Sequence, residues 1–509
     1  MAKKPNQNKL FNLNKEDFFN TKHFKKDLKS RSIRGGAVVI AAQAIQFILR
    51  TSSTVVLARL LSPEDYGLFG MTTVVVNFAH LFKDLGLSAA TVQKAEINHQ
   101  QVSTLFWINL AISSIIALIV VVLAPVVAWF YNEPLLTGIT LALAINFVFS
   151  GLIVQHQALL QRQMRFSSLA KIKIVSMLVG VIAAIVSAWY GFGYWALVIM
   201  QIATVITNAM GVWIACSWRP GLPVKNAAIK SMLVFGGNLT GFRFVNYFSR
   251  NLDNVLIGRY WGSQELGLYS KAYQLVLLPI QQINNPVESV ALPALSSLQL
   301  EPEKYCRYYY KAILLITTLG MPIVGFMFAS SDKVILLMLG EQWLGVVPIF
   351  QFLIPAAFIG TFNVATGWVY QSLGTTNRQF RIGMVMATID ILLFLLSVRW
   401  GAIGVAAAYG LSRPITMIIA IIYCYIGTPL KVSIFCKTIF RPTFASIGAS
   451  IVLIAVNYFL VFEINLLVAL FIDLFIYFGF YLLLWIIIPG GKSEAKVILR
   501  TLKTLKQKR

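Results

Sequence analysis

Apolar runs of about twenty residues, following one another along nearly the whole chain, limit the possible folds more than any other feature. INLAISSIIALIVVVLAPVVAWF at 108–130 and LLVALFIDLFIYFGFYLLLWIII at 466–488 are two of them. A helix rises about 1.5 Å per residue, so such a run crosses the roughly 30 Å hydrocarbon layer of a bilayer. Hydrocarbon offers no partner to backbone N–H and C=O groups, and a continuous apolar run satisfies them internally only as a helix. A β-barrel needs alternating segments of about ten residues, which this sequence lacks. At 58% hydrophobic and 12% charged residues, the chain is far from the roughly 45–50% and 25% of soluble domains. The expected fold class is an all-α integral membrane protein.

Between polar breaks the runs number about fourteen. The first lies at 35–58 and the second at 66–88. The seventh and eighth, at 230–257 and 266–288, are interrupted by polar residues, and the last two lie at 442–462 and 465–488. Lys and Arg total 43 against 19 Asp and Glu, a formal charge of +24. These cations do not form a nucleic-acid face, because they concentrate in every second loop. They include Arg162, Arg165, Lys171 and Lys173, then Arg219, Lys225 and Lys230, then Lys304, Arg307 and Lys311, and the tail KSEAKVILRTLKTLKQKR. The alternate loops YNEP, YGFGYW and FEIN hold none. Cytoplasmic loops carry the Lys/Arg excess, so both termini are expected in the cytoplasm.

The polar N-terminal segment 1–34 lacks the shape of a cleaved signal, so the first run is expected to be retained as a helix. Its interleaved Phe, Leu and Lys suit a basic amphipathic segment on anionic lipid or, equally, a solvated tail. Cys216, Cys306, Cys424 and Cys436 fall on the cytoplasmic side and are expected as free thiols. No CxxC or Cys/His spacing suggests a metal, and no motif suggests a cofactor.

The chain is internally repeated. RTSSTVVLARLLSPEDYGLFG at 50–70 matches RNLDNVLIGRYWGSQELGLYS at 250–270, aligning Arg50 with Arg250, Arg59 with Arg259 and Gly67 with Gly267. YNEPLL parallels LGEQWL, YGFGYWALV parallels VRWGAIGVA, and QRQMRF parallels TTNRQF. The expected organisation is a six-helix lobe at 35–218, a second at 219–428, two further helices at 429–488 and a basic tail at 489–509. Six helices per copy give parallel repeats, a transporter design with the substrate cavity between lobes.

LARLLSPEDYGLFG at 57–70, FKDLGLSAATVQKAEI at 82–97 and LLQRQMRFSSLAKIKI at 159–174 resemble the polysaccharide exporters. These are Wzx-type flippases of the colanic and teichuronic acid kind, in the superfamily of lipid II flippases and multidrug extruders. The resemblance implies two six-helix lobes plus two helices in a bacterial inner membrane. The substrate it implies is an undecaprenyl-pyrophosphate-linked oligosaccharide, moved from the inner to the outer leaflet. It also implies a monomer amid membrane lipids, with polysaccharide polymerase machinery as a further partner.

Charges within spans are expensive and normally face a cavity or a partner. Arg50, Arg243 and Arg250 are the candidate pyrophosphate ligands, since guanidinium pairs with phosphate oxygens bidentately and stays charged when desolvated. The alternative is pairing with a carboxylate such as Asp253, or snorkelling. Asp253 and Asp390 are candidates for ion coupling, with interhelical salt bridges as the alternative. Lys83, Asp84, Lys271, Glu288, Arg413 and Asp473 are further charges in spans, while Arg59 and Arg259 read as surface ion pairs with Glu64, Asp65 and Glu265. Asn238, Asn246, Gln281, Gln282, Asn284 and Asn285 suit either a sugar-lined cavity or helix packing. Prolines from Pro279 to Pro355 mark kinks. No catalytic constellation is visible, which disfavours a membrane glycosyltransferase or polymerase. A multidrug cation extruder is the nearer alternative, but it needs carboxylates where this chain places arginines.

Overall fold

The computed structural model describes residues 28–81, 87–94, 97–224, 230–459, 465–488 and 491, with side chains throughout except at 28–37, 40, 89–90, 93 and 230–250. The described residues are helical, without strands. The helices are α1 (Leu28–Leu60), α2 (Pro63–His80), α3 (Leu87–Gln93), α4 (His99–Tyr131), α5 (Leu135–Arg162), α6 (Phe166–Trp189), α7 (Trp195–Ala215) and α8 (Lys230–Ser297). They continue with α9 (Pro302–Ala329), α10 (Ser331–Met338), α11 (Val346–Ser372), α12 (Thr376–Ser397), α13 (Gly401–Tyr425), α14 (Val432–Phe459) and α15 (Leu466–Ile487). Among the described residues nine stretches are long and apolar enough to cross a membrane, with α12 and α13 counted as one. The criterion covers only the described residues, so it does not return the count of fourteen.

Helices overrun the apolar runs. α9 starts at Pro302, where proline suits the first helical position, and α14 starts at Val432, ahead of Pro442. Hydropathy marks the slab a helix crosses, whereas capping and hydrogen bonding set its ends. The seventh and eighth runs form the one long element α8, broken only at Gly262 (φ 81°, ψ −173°), a conformation open to glycine.

The chain divides into two compact units, Met1–Gln264 and Glu265–Arg509. In the first, the Ser62–Asp65 capping box, with Pro63 at the first turn, starts α2, and an Asn98–Gln101 box starts α4. α4 and α5 pair closely because Gly151 faces Leu110 and Ser113, where a Cβ would come within 2.9 Å of Ser113. α2 approaches α8 still more closely, and a Cβ on Gly67 would lie inside the carbonyl of Ser263. After α7 the chain runs back along α4. There Trp107 Nε1 donates to Gly221 O (2.8 Å), the Gly221 and Val224 amides donate to Ser103 and Thr104 hydroxyls, and Trp218 Nε1 donates to His99 Nδ1 (3.0 Å). Phe106, Leu159, Val212 and Trp218 form the core beneath.

In the second unit Tyr309, Ile313, Trp368, Val369 and Tyr425 form the core of α9, α11 and α13. α14 and α15 are laced onto α9. Ser446 Oγ donates to Met321 O (2.9 Å), Ser450 Oγ to Gly325 O (3.0 Å) and Tyr481 Oη to Thr318 O (3.2 Å). Gly325 is the notch that admits Ser446, Ser450 and Tyr477. Lipid is as apolar as Leu, so packing and hydrogen bonds of this kind hold membrane helices together.

Matched turns in the two units both carry a residue at positive φ. Asn132 (φ 58°) and Gly340 (φ 99°) close YNEPLL and LGEQWL, and Gly193 (φ 52°) and Gly401 (φ 73°) take the same places in the other pair. The third pair is displaced. The left-handed residue after α5 is Met164 (φ 54°) and after α11 it is Gly374 (φ 69°), which equates QRQMRF with QSLGTT rather than TTNRQF. The basic residue nonetheless does one job in both units: Arg165 donates to Ala215 O (2.9 Å) at the end of α7, and Arg378 donates to Ile426 O (2.6 Å) beyond α13.

Candidate functional site

Asp390 on α12 and Arg413 on α13 meet inside the second unit, with Arg413 Nη2 2.7 Å from Asp390 Oδ2. Both side chains sit within apolar helices, where a lone charge costs about 2.5–3.5 kcal/mol by insertion scales, so mutual pairing is expected. Helical spacing builds the surroundings. Tyr409 lies one turn before Arg413, and the guanidinium rests 4.2 Å above its ring. Phe394, one turn after Asp390, stacks on Tyr409 at 6.0 Å, and Tyr273 meets Tyr409 edge-on at 6.1 Å. The Arg413 side chain is 22% exposed against 10% for Asp390, so the cation is the more accessible partner. Its Nε–H has no acceptor among the described residues. A guanidinium with spare donors, one resident carboxylate and aromatic faces beside it has the chemistry to take an oxyanion and to stack against a sugar ring.

A second charged cluster lies at the junction of α9, α10, α14 and α15. Asp473, 3% exposed, accepts from Lys333 Nζ at 2.8 and 3.1 Å, from Ser330 Oγ at 3.0 Å and from Asn457 Nδ2 at 3.3 Å. Lys333 Nζ also donates to Asn457 Oδ1 (3.0 Å). With every partner engaged, this cluster fixes helices. Lys333 escapes sequence reading because the short helix α10 that carries it lies between two apolar runs; the intramembrane Asp473 is the available signal that a cation has to lie nearby.

Arg50 is exposed on α1, and its carbonyl accepts from Ser53 and Thr54 hydroxyls, both at 2.9 Å. Arg243 and Arg250 lie on α8, but their side chains, like those of Asn238 and Asn246, are outside the described residues, as are Lys83 and Asp84 altogether. Asp253 is buried, and its carboxylate accepts from the amide of Asn254 (2.8 Å) and from its side chain (3.3 Å). Buried Lys271 stands 6.0 Å from the ring centre of Trp343. Asn284 donates to Gly360 O (3.2 Å) and so serves packing, while Gln281, Gln282 and Asn285 are exposed. Arg259 is a correction to the surface-pair reading. It lies over the ring of Phe130 at 5.7 Å, while Asp65 is engaged by Ser62 in the α2 cap. Among the described residues no group of His, Cys, Asp and Glu has metal-binding geometry.

The chain matches the family model described as polysaccharide biosynthesis protein over residues 56–348, more than half its length. It is similar to the lipopolysaccharide biosynthesis protein WzxC of Escherichia coli (strain K12), 24% identical over 400 residues that cover 77% of this chain and 80% of that protein. It is also similar to the teichuronic acid biosynthesis protein TuaB of Bacillus subtilis (strain 168), 26% identical over 383 residues, 75% of this chain and 79% of that protein. Among solved structures, the inward closed conformation of the lipid II flippase MurJ superposes with TM-score 0.70 at 14% identity, covering 89% of this chain and 98% of that one. An inward-facing multidrug resistance MATE transporter superposes with TM-score 0.60 at 13% identity, covering 75% and 94%. At such identities the structural likeness establishes the fold.

Proposed function

The chain belongs to the polysaccharide biosynthesis protein family, and from that premise we propose that it is a flippase for a lipid-linked oligosaccharide. In this reading it is a multi-pass transporter of the bacterial cytoplasmic membrane. It carries an undecaprenyl-pyrophosphate-linked repeat unit of a surface polysaccharide from the inner to the outer leaflet. The family match carries the reading. It is supported by relatives named for lipopolysaccharide and teichuronic acid biosynthesis, and by a fold like that of a lipid II flippase.

The mechanism we propose is alternating access between lobes 35–218 and 219–428, with both termini in the cytoplasm and the protein acting as a monomer beside the polymerase machinery. The repeat sets the lobe boundary at 218/219, ahead of α8, whereas the compact units follow packing and divide within α8, two residues after its break at Gly262. Arg50, Arg243 and Arg250 supply cationic contacts for the diphosphate. Arg413 offers a cationic contact of its own within the second unit, with Asp390 as its resident counter-ion in the empty carrier. An arriving diphosphate competes with that carboxylate, and the tyrosines offer stacking faces to sugar. Freed Asp390, or Asp253, then becomes the group through which a proton or other cation is coupled. A cation extruder would need the opposite sign of charge at these positions.

The test is export of surface polysaccharide by cells carrying Arg243→Ala at matched membrane expression. Loss of export, with lipid-linked sugar accumulating in the cytoplasmic leaflet, is the expected result. Normal export by Arg243→Ala, Arg50→Ala and Arg250→Ala alike would overturn the anion-cavity reading.

A further inference from the structure

Polar residues line one side of the second half of α8. Gln281, Gln282, Asn285 and Ser289 recur at helical spacing and are all exposed. Among them Asn284 is buried and donates to Gly360 O (3.2 Å), which fixes their depth. α11 runs from Val346 to Ser372, a helix of about 40 Å, so Gly360 near its middle lies about 20 Å from either end. Ile283 packs at the same level, 3.8 Å from the place a Cβ on Gly320 of α9 would take. The exposed amides flank this level within one turn, deep in the roughly 30 Å hydrocarbon layer. Hydrocarbon offers an amide no partner, so a face of this kind at this depth turns to water or to a polar ligand.

Pro279, Pro286 and Pro293 fall at intervals of seven residues within the same stretch of α8. Proline brings no N–H, so the carbonyls four residues earlier, those of Leu275, Gln282 and Ser289, lose their helical donor. Two of these three belong to the exposed polar residues. Such carbonyls are tolerated in a span where they meet protein or line a water-filled cavity. Transporters place substrate sites at this depth, on helices interrupted in this way. Charge narrows the ligand. No Lys or Arg lies between Lys271 and Lys304, and Glu288 is the one charged residue from 272 to 297. The face therefore offers amide donors and carbonyl acceptors but no cation for a phosphate, which matches sugar hydroxyls, since these both donate and accept. We propose that this side of α8 is the sugar-contacting wall of the transport path, where hydroxyls of the carried oligosaccharide bond to Gln281, Gln282 and Asn285 and to the Gln282 carbonyl. This rests on the flippase reading and adds to it the residues that meet the sugar rather than the diphosphate.

The test uses the full-length protein in nanodiscs, carrying Gln282→Cys or Asn285→Cys, with labelling by a charged methanethiosulfonate read at that site by peptide mass spectrometry. The reagent attacks thiolate, which forms in water and not in hydrocarbon. Both variants are expected to react, whereas Phe475→Cys, at an apolar position of α15 that is 77% exposed, should stay unlabelled. Undecaprenyl diphosphate bearing the repeat unit of the host strain, at about ten times its dissociation constant, should leave about one site in ten open and slow labelling about tenfold. Undecaprenyl diphosphate without sugar should not protect. Gln281→Cys replaces either variant that does not give monodisperse protein. Reactivity no greater than that of Phe475→Cys would mean that lipid or a second copy of the chain covers this face, and would overturn the proposal. So would a lack of protection, or equal protection by the carrier without sugar. Export of surface polysaccharide, measured in a strain deleted for the protein, separates the two readings. Export lost on deletion with unreactive or unprotected cysteines sinks the α8 wall alone, whereas export unaffected by deletion sinks the flippase reading.

Discussion

Replacing Asp473 by Leu should destabilise the protein strongly, and also replacing Lys333 by Met should restore most of the loss. Asp473 is almost wholly buried and takes four hydrogen bonds from Lys333, Ser330 and Asn457. Removing one partner of a buried ion pair typically costs about 3–5 kcal/mol, because the other charge is left without compensation. The Lys333 side chain is 23% exposed and can draw water or snorkel, which places the cost near the lower end, about 3 kcal/mol. That is on the order of a hundredfold in the folded-to-unfolded ratio. The Lys333→Met, Asp473→Leu pair removes both charges together, and such apolar replacement is often neutral or even stabilising by about 1–4 kcal/mol. Denaturation in mixed micelles of sodium dodecyl sulfate, followed by the fluorescence of buried Trp485 in the α14–α15 cluster, gives the comparison. If Asp473→Leu is as stable as the parent, or the double variant is less stable than either single, the electrostatic argument fails.

Gly67→Ala forces a methyl group into the Ser263 carbonyl and should separate α2 from α8, costing at least about 2 kcal/mol in the same unfolding assay; Gly479→Ala, whose site is open, should be tolerated. Arg413→Lys keeps the charge but loses the planar fork, so export should fall by about tenfold or more at unchanged expression. Undiminished export with Lys would show that only charge matters at that position.

Much of this was legible in the sequence, for physical reasons that also explain the remainder. Hydrocarbon permits few charges, so Asp390, Arg413 and Asp473 stood out within apolar runs. Which of them pair is a property of packing: Asp390 joins Arg413 across 23 residues, while Asp473 reaches 140 residues back to Lys333. The Lys333 site lies at a helix junction, where a cation looks unexceptional. Arg259 has Glu265 close by in sequence, but an aromatic face receives the guanidinium. The third repeat was matched in the wrong register because letter similarity followed an arginine. Backbone conformation instead follows the left-handed residue, Met164 or Gly374, which ends the helix.

The Gly325 notch and the Ser446, Ser450, Tyr477 and Tyr481 bonds around it bear on how this chain can be recombined. A chimera that takes its last two helices from a relative imports hydroxyls and a carboxylate cut to fit another α9. Gly325, Thr318 and Lys333 would have to travel with them. The interchangeable module is therefore discontinuous: α9 and α10 together with α14 and α15, with three intervening helices left in place.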